Sequence, residues 1–241
     1  MTTEWRSAKL AEHHDTSTFD CGVEEMNSWL RDHGMRAQKA GAAITRVWLP
    51  ADSDDVLAYY ALAPTQVLRE AISPADSGGY SVVPAYLIAR LALDSRIQGQ
   101  GFGTDLILDA IESIYRASQL TGGRLIVVDA LDEETAKFYR HHGFHPVKGD
   151  PLRLVMKMTT AATVLTTAML DIKTNAEIGL MSLDLHRPDG STSSSLLNLD
   201  EAQTLSRHLV ELATARQANP NAQINLRTEI ASVLGRDVFG D

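Results

Sequence analysis

The sequence predicts a mixed α/β fold followed by a small C-terminal unit. Three observations support this prediction: apolar runs alternate with amphipathic segments over the first 158 residues, a glycine-rich turn separates a long apolar run from a helix, and the composition changes near residue 159. The chain has 241 residues, of which 44% are hydrophobic and 22% are charged, as in an ordinary globular protein. We therefore expect one domain at 1–158 and a smaller domain at 159–241.

The first part alternates predicted helices with predicted strands. Apolar residues at helical spacing predict helices at 24–38, 101–120 and 133–142. Shorter apolar runs predict strands at 43–49, 56–62, 84–94, 125–129 and 152–158. The run PAYLIARLALD at 84–94 predicts a strand that is buried on both faces. Strand, glycine-rich turn, helix and strand in this order predict a parallel central pair joined by a crossover helix.

The second part predicts a strand–turn–strand–helix unit. Strands are expected at 176–186 and 196–199, with a Pro- and Gly-containing turn at 187–190 between them. Asp200 is expected to cap a helix. The apolar face of that helix would consist of Ala202, Leu205, Leu209 and Leu212.

Charge and cysteine content restrict the classes of function. The net charge of −9 gives no general attraction to nucleic acid, although a local basic patch is still allowed. The single cysteine, Cys21, excludes a disulfide within the chain and a cysteine-based metal cluster, and we expect it to be a packing residue. No apolar run reaches the length of about 18 residues needed to span a bilayer, so we expect a cytoplasmic protein without membrane association. The histidines at 13–14 and 141–145 are expected at solvated positions or helix ends, so we expect no metal site.

The most informative motif is the turn Gln98-Gly99-Gln100-Gly101-Phe102-Gly103, which lies between a predicted strand and a predicted helix. Glycines allow backbone angles that point successive N–H groups into one concavity, and the following helix adds the positive end of its dipole. Such a turn can bind a phosphate or pyrophosphate without a lysine. The motif lacks the Gly-Lys-Ser/Thr of a Walker loop, and its Gly-x-Gly-x-Gly spacing differs from the dinucleotide-binding fingerprint. A tight structural turn without a ligand remains the alternative.

The strand ARLALD followed by QGQGFG resembles the acetyl-coenzyme A loop of the GNAT family of N-acetyltransferases. The resemblance implies a mixed sheet in which two parallel strands splay apart, with acetyl-coenzyme A bound at the splay. It implies the following cofactor-binding residues: Leu91, Ala92, Leu93, Gln98, Gly99, Gln100, Gly101, Phe102, Gly103 and Thr104. The segment KFYRHHGF resembles a later motif of the family, which implies that Tyr139 lies near the thioester sulfur as the catalytic acid.

Within that family, the chain resembles the acetyltransferase toxins of toxin–antitoxin pairs over about 155 residues. Trp29-Leu30, the segment YYAL at 59–62 and the glycine-rich block carry this closer resemblance. It implies acetylation of the α-amine of aminoacyl-tRNA, an antitoxin partner and a homodimer. A weakly supported basic rim for RNA or another acceptor would consist of Arg31, Arg36, Lys39 and Arg46.

No obvious general base stands out in the sequence, which weakly favours an α-amine acceptor; water or an unrecognised carboxylate stays open as the base for a lysine acceptor. An α-amine with a pKa of about 7.7–8.0 is partly neutral at physiological pH, whereas a lysine amine with a pKa of about 10.4 is almost entirely protonated. Two other functions stay open: a GNAT enzyme for a small amine or a protein lysine, and a binding module that retains the fold without catalysis.

Overall fold

The computed structural model describes residues 5–168, 170–175, 180–186, 192–198, 200–205, 207–208, 230 and 232–235. The chain divides into two compact units, Met1–Ala161 and Ala162–Asp241. Each unit is described separately. Within the described residues, no helix is both long enough and apolar enough to cross a membrane.

A seven-stranded mixed sheet forms the centre of the first unit, in the order β1-β2-β3-β4-β5-β7-β6. Its strands are β1 (Trp5–Lys9), β2 (Ile44–Pro50), β3 (Ala58–Leu68), β4 (Val82–Leu93), β5 (Leu125–Asp129), β6 (His145–Val147) and β7 (Asp150–Lys157). All neighbouring pairs are antiparallel except β4 and β5, which are parallel. The mixed sheet and the predicted parallel pair are thus confirmed.

Helices cover both faces of this sheet. The helices of the described residues are α1 (Glu24–Ser28), a π-helical stretch (Trp29–Gly34), α2 (Met35–Lys39), α3 (Pro74–Ser77), α4 (Phe102–Thr121), α5 (Glu133–His141) and α6 (Met158–Ala168), of which α6 contains the boundary between the two units. On one face, Met26 and Leu30 pack with Tyr59 of β3 in an apolar cluster. On the other face, Asp109 of α4 accepts hydrogen bonds from Trp48 Nε1 at 2.7 Å and from the Tyr60 hydroxyl at 2.9 Å. These contacts hold α4 against the sheet and fix where its N-terminus lies.

Strand β4 consists of two halves with different partners. Its register with β5 runs from Ala85 opposite Leu125 to Ile88 opposite Val128. The pairing with β3 continues to Leu93, with a register shift at Ala89 that is typical of a β-bulge. From Ala89 onward, the described residues provide β4 with no strand partner on the β5 side. The implied splay between the two parallel strands is therefore present.

Several local predictions need correction. The prediction that 84–94 is buried on both faces was wrong, because β4 buries mainly Val83, Ala85, Ile88 and Ala92, and the residues between them stay partly exposed. Strands β1 and β6 were not predicted, since both are short and β6 contains a proline. Helix α6 forms in a stretch rich in threonine and alanine that gave no clear signal.

The second unit contains a three-stranded antiparallel sheet in the order β10-β9-β8. Its strands are β8 (Leu170–Asn175), β9 (Leu180–His186) and β10 (Thr192–Leu197), of which β8 was not predicted. A helical segment at 200–205 follows, with Ala202 and Leu205 buried. The predicted turn at 187–190 and the predicted apolar positions Leu209 and Leu212 lie outside the described residues.

Candidate active site

A cavity of about 70 Å³ lies where β4 and β5 diverge. Its walls come from β4 at 88–91, from the end of β5 at Asp129, from Thr135 and Tyr139 of α5, and from the first residues of α1. The sequence predicts this arrangement only in outline, because the cavity is built from four separate elements.

Tyr139 lies in this cavity and is 6% exposed. Helix α5 positions it: Asp132 caps the helix by accepting a 2.7 Å hydrogen bond from the Thr135 N–H, and the Tyr139 ring packs against Phe144. Burial raises the pKa of the Tyr139 hydroxyl to about 12. Among the described residues, none forms a hydrogen bond with that hydroxyl. Tyr139 therefore carries a protonated, unpaired donor into the cavity at neutral pH.

Arg90 also lines the cavity, and the sequence prediction gave its side chain no role. Its Nη1 donates a 2.8 Å hydrogen bond to the carbonyl of Ala89, the residue at the register shift. Its guanidinium lies 5.8 Å from the centre of the Trp29 ring. Its buried Nε has no hydrogen-bond partner in the described part of the chain. Arg90 thus joins the bulge of β4 to the helical segment on the same face of the sheet.

Both carboxylates that line the cavity are paired with arginines. Glu25 lies 3.3 Å from Arg90 Nη2. Asp129 accepts two hydrogen bonds from Arg153 Nη1, at 2.8 and 2.9 Å. Sequence reasoning missed these pairs, because their partners are 65 and 24 positions apart along the chain.

The glycine-rich turn connects the end of β4 to α4. Gly99 and Gly101 have φ angles of +73° and +91°, which other residues rarely adopt, whereas Gly103 is helical. A Cβ added at Gly99 or Gly101 would meet nothing within 4 Å, so this surface is open. No described residue accepts a hydrogen bond from the backbone N–H groups of 99–103. These N–H groups and the N-terminus of α4 form a concavity suited to a phosphate group.

Two side chains anchor this turn. Gln98 Nε2 donates to the carbonyls of Leu93 at 2.8 Å and Cys21 at 3.0 Å. Asp94 is 1% exposed on its side chain and pairs with Arg96 at 2.7 Å. Burial raises the pKa of the Asp94 carboxyl, but hydrogen bonds from Arg96 and from the Asp20 N–H outweigh burial and hold the pKa below its ordinary value. The turn is therefore fixed at its start by an ion pair whose carboxylate is buried.

The other predicted cofactor residues occupy different positions around the turn. The Phe102 ring packs edge-on against Trp5 at 5.3 Å, so only its backbone faces the concavity. The Thr104 hydroxyl lies 3.3 Å from His142 Nε2. Leu91 lines the cavity, Ala92 is buried, and Gln100 donates a hydrogen bond to the Arg96 carbonyl at 3.1 Å.

The structure does not bring the four basic rim candidates together. Arg31 pairs with Glu24 at 2.8 Å, and Lys39 pairs with Glu12. Arg46 bonds Ser7 on the α4 face of the sheet, whereas the helix that carries the other three covers the opposite face. The prediction of one rim formed by all four residues was therefore wrong. Of the four, Arg36 and Arg46 have no ion-pair partner within the described part of the chain, and Arg46 is hydrogen-bonded to Ser7 instead.

Among the residues that the structure describes, one histidine cluster has the composition of a metal site, namely His13, His14 and Asp54. His14 Nδ1 accepts a hydrogen bond from the Ala11 N–H at 3.1 Å, so the proton of the neutral ring lies on Nε2. Neither ring nitrogen of His14 then offers a lone pair to a cation. Asp54 is in turn paired with Arg6. This cluster does not fit a metal ion.

Comparison with known proteins identifies related toxins. A tRNA-acetylating toxin of Mycobacterium tuberculosis is 30% identical over 163 residues, which cover 65% of this chain and 94% of the relative. A solved structure of AtaT complexed with acetyl-methionyl-tRNAfMet has a TM-score of 0.62 and 27% identity, covering 67% of this chain and 99% of that one. A mutant AtaT toxin bound to the C-terminus of the antitoxin AtaR and acetyl-CoA has a TM-score of 0.59 and 26% identity, covering 67% and 98%. No family model matches the chain.

The fold and the cavity at the diverging strands define an acetyltransferase of the GNAT type. The chain belongs to the family of tRNA-acetylating GNAT toxins. The resemblance identified from the sequence is therefore confirmed.

Proposed function

We propose that this protein transfers the acetyl group of acetyl-coenzyme A to the α-amine of aminoacyl-tRNA. In the reaction, the neutral amine attacks the thioester carbon, an amide bond forms and the carbon–sulfur bond breaks. The amine loses a proton, and the departing thiolate gains one. The protein contributes mainly by holding both reactants in orientation, which converts a bimolecular step into a unimolecular one.

The single observation that carries the proposal is the hydroxyl of Tyr139, a largely buried residue of the cavity between the diverging strands, which has no hydrogen-bond partner among the described residues. With a pKa raised to about 12, it is a proton donor and not a base at neutral pH. A thiolate leaving group with a pKa of about 8.5, by analogy with cysteine, would accept that proton. A backbone N–H of β4 near Leu93 is the proposed donor to the thioester oxygen.

The residues around the turn fit acetyl-coenzyme A. The N–H groups of 99–103 would hold the pyrophosphate, and the unpaired edge of β4 at 91–93 offers backbone groups to the pantetheine arm. Open space beside Gly99 and Gly101 supports close approach of a phosphate to the backbone.

The pairing of the two cavity carboxylates supports an α-amine as the acceptor. Glu25 and Asp129 are both committed to arginines, so neither is positioned as a general base. An amine that is already partly neutral suits such a site, which favours an α-amine over a lysine side chain. The names of the relatives, a tRNA-acetylating toxin and AtaT with acetyl-methionyl-tRNA, support the same acceptor.

Further parts of the prediction remain proposals. We propose that 1–158 form the acetyltransferase domain, that 159–241 form a separate small domain, and that Arg31, Arg36 and Lys39 contact the tRNA backbone. An antitoxin partner is proposed because AtaT binds the antitoxin AtaR. A homodimer is proposed because Leu68, which is opposite Val82, and the nearby Tyr80 are large and exposed. A cytoplasmic location is proposed because aminoacyl-tRNA is found there.

The test is incubation of the purified protein with labelled acetyl-coenzyme A and a panel of aminoacyl-tRNAs, peptides and polyamines. Transfer of label to aminoacyl-tRNA is expected, together with binding of tRNA that weakens steeply with added salt. Transfer to peptides or polyamines alone would overturn the proposal.

A further inference from the structure

Two large apolar side chains lie at the mouth of the Tyr139 cavity. Leu131, between β5 and α5, is 61% exposed, and Val23, just before α1, is 40% exposed. Single exposed apolar residues are common on protein surfaces and need no explanation. These two residues, however, come from two separate segments of the chain and line the same cavity together with Tyr139.

The charges of this cavity compensate one another. Glu25 lies 3.3 Å from Arg90, and Asp129 lies 2.8 Å from Arg153. A charged group that entered the cavity would lose water without gaining an unpaired counter-ion, which is unfavourable. An apolar group would instead contact Leu131 and Val23 and remove apolar surface from water.

The position of the acceptor amine determines where the amino-acid side chain of the aminoacyl group lies. In an aminoacyl group, the α-amine and the side chain are attached to the same carbon. When the amine reaches a thioester next to Tyr139, the amino-acid side chain must therefore lie within a few ångströms of the cavity mouth.

We infer that Leu131 and Val23 determine acceptor specificity and that the preferred aminoacyl-tRNAs carry uncharged, apolar amino acids. This inference rests on the proposed function and adds to it the chemical class of the acceptor.

The experiment uses the full chain and a single tRNA body charged with different amino acids, so that the tRNA contacts stay constant. Methionine, leucine and valine represent the apolar class, and aspartate, glutamate and arginine the charged class. Lysine is left out because it carries a second amine. We expect the apolar class to be acetylated with a kcat/KM about tenfold or more above the charged class.

The variant Leu131→Asp tests the assignment to a residue. Leu131→Asn is its matched control, since it has the same shape without the charge. Leu120→Asp adds a charge at an 88% exposed position of α4 that does not line the cavity. The preference is the ratio of kcat/KM for the tRNA that carries arginine to kcat/KM for the tRNA that carries methionine. We expect this ratio to be about tenfold higher in Leu131→Asp than in Leu131→Asn. Leu120→Asp should leave that preference unchanged.

The possible failures can be told apart. Equal acetylation of the charged and apolar classes, or an unchanged preference in Leu131→Asp, would overturn the inference while leaving the proposed function intact. If the protein binds acetyl-coenzyme A but acetylates none of the aminoacyl-tRNAs, both the inference and the proposed function would be overturned.

Discussion

The two halves of β4 differ in what their backbone contacts. The first half, up to Ile88, pairs with β3 on one side and with β5 on the other. The second half, from Ala89 to Leu93, keeps β3 but has no strand partner on the β5 side among the described residues. The first half uses its hydrogen bonds for the sheet, whereas the second leaves an edge available. The residues proposed to bind acetyl-coenzyme A and to act in catalysis gather around the second half, so we expect one strand to support both stability and binding.

Removing one hydroxyl beside each half of β4, that of Tyr139 on α5 and that of Tyr86 on β4 itself, gives the largest expected contrast. Tyr139→Phe should lower the acetyl-transfer rate by about 100-fold or more, because the leaving thiolate loses its proton donor. Its affinity for acetyl-coenzyme A and its stability should stay close to those of the unmodified protein, since the hydroxyl has no described hydrogen-bond partner.

The matched control is Tyr86→Phe on the paired half. The Tyr86 hydroxyl bonds Thr121 and the Gly122 carbonyl at 2.8 Å. Its loss should reduce stability slightly and leave the transfer rate intact. Kinetics measure the transfer rate and urea unfolding measures the stability of both variants. Full activity of Tyr139→Phe would contradict the role of Tyr139 as the catalytic acid.

Asp94→Asn should loosen the end of the diverging half. Asp94 is buried and accepts hydrogen bonds from Arg96 and the Asp20 N–H, so an amide there would leave donors without a proper acceptor. We expect a loss of about 1–3 kcal/mol in the free energy of unfolding at pH 7.

The pH dependence of stability follows from the pKa of Asp94. Because this pKa is held below its ordinary value of 3.8, the carboxylate stabilises the fold above that value. The contribution is lost as the pH falls through the lowered pKa. The measurement is the free energy of unfolding of the unmodified protein and of Asp94→Asn, at pH 7 and in acid. The difference in free energy between the two proteins should be smaller in acid. A difference that does not change with pH would contradict the role assigned to Asp94.

Arg90→Met tests the bulge where the two halves meet. The substitution keeps apolar bulk beside Trp29 but removes the donor to the Ala89 carbonyl, a loss worth about 1–2 kcal/mol. We expect kcat to fall by more than the small loss in the free energy of unfolding would explain, because the cavity wall shifts. Glu25→Gln, which removes only the ion pair, should have a smaller effect. Equal activity in Arg90→Met and the unmodified protein would show that Arg90 has no positioning role.

Gly101→Ala and Gly103→Ala compare a strained and an unstrained position of the turn. A φ of +91° disfavours alanine at 101, so affinity for acetyl-coenzyme A should fall about tenfold. At 103 the backbone is helical and a Cβ would lie 3.5 Å from the Phe138 ring, an ordinary contact. Calorimetry with acetyl-coenzyme A measures both variants, and equal affinities would contradict the proposed role of the backbone at 101.

The sequence predicted the local features of this site better than the distant ones. The turn at 98–103 and the position of Tyr139 on α5 follow from short motifs with helix signals at both ends. The pairing of Arg90 with Glu25 and of Asp129 with Arg153 depends on tertiary packing and leaves no local pattern. The prediction of one basic rim was wrong for the same reason, because the Arg46 side chain lies on the face of β2 that is covered by α4.

Hydrogen exchange with and without acetyl-coenzyme A tests most directly whether the unpaired half of β4 and the turn hold the co-substrate. Acetyl-coenzyme A is expected to slow exchange of the N–H groups at 89–93 and 99–103, whereas those at 82–88 stay as protected as before. Protection confined to other segments, or none at 99–103, would contradict this expectation.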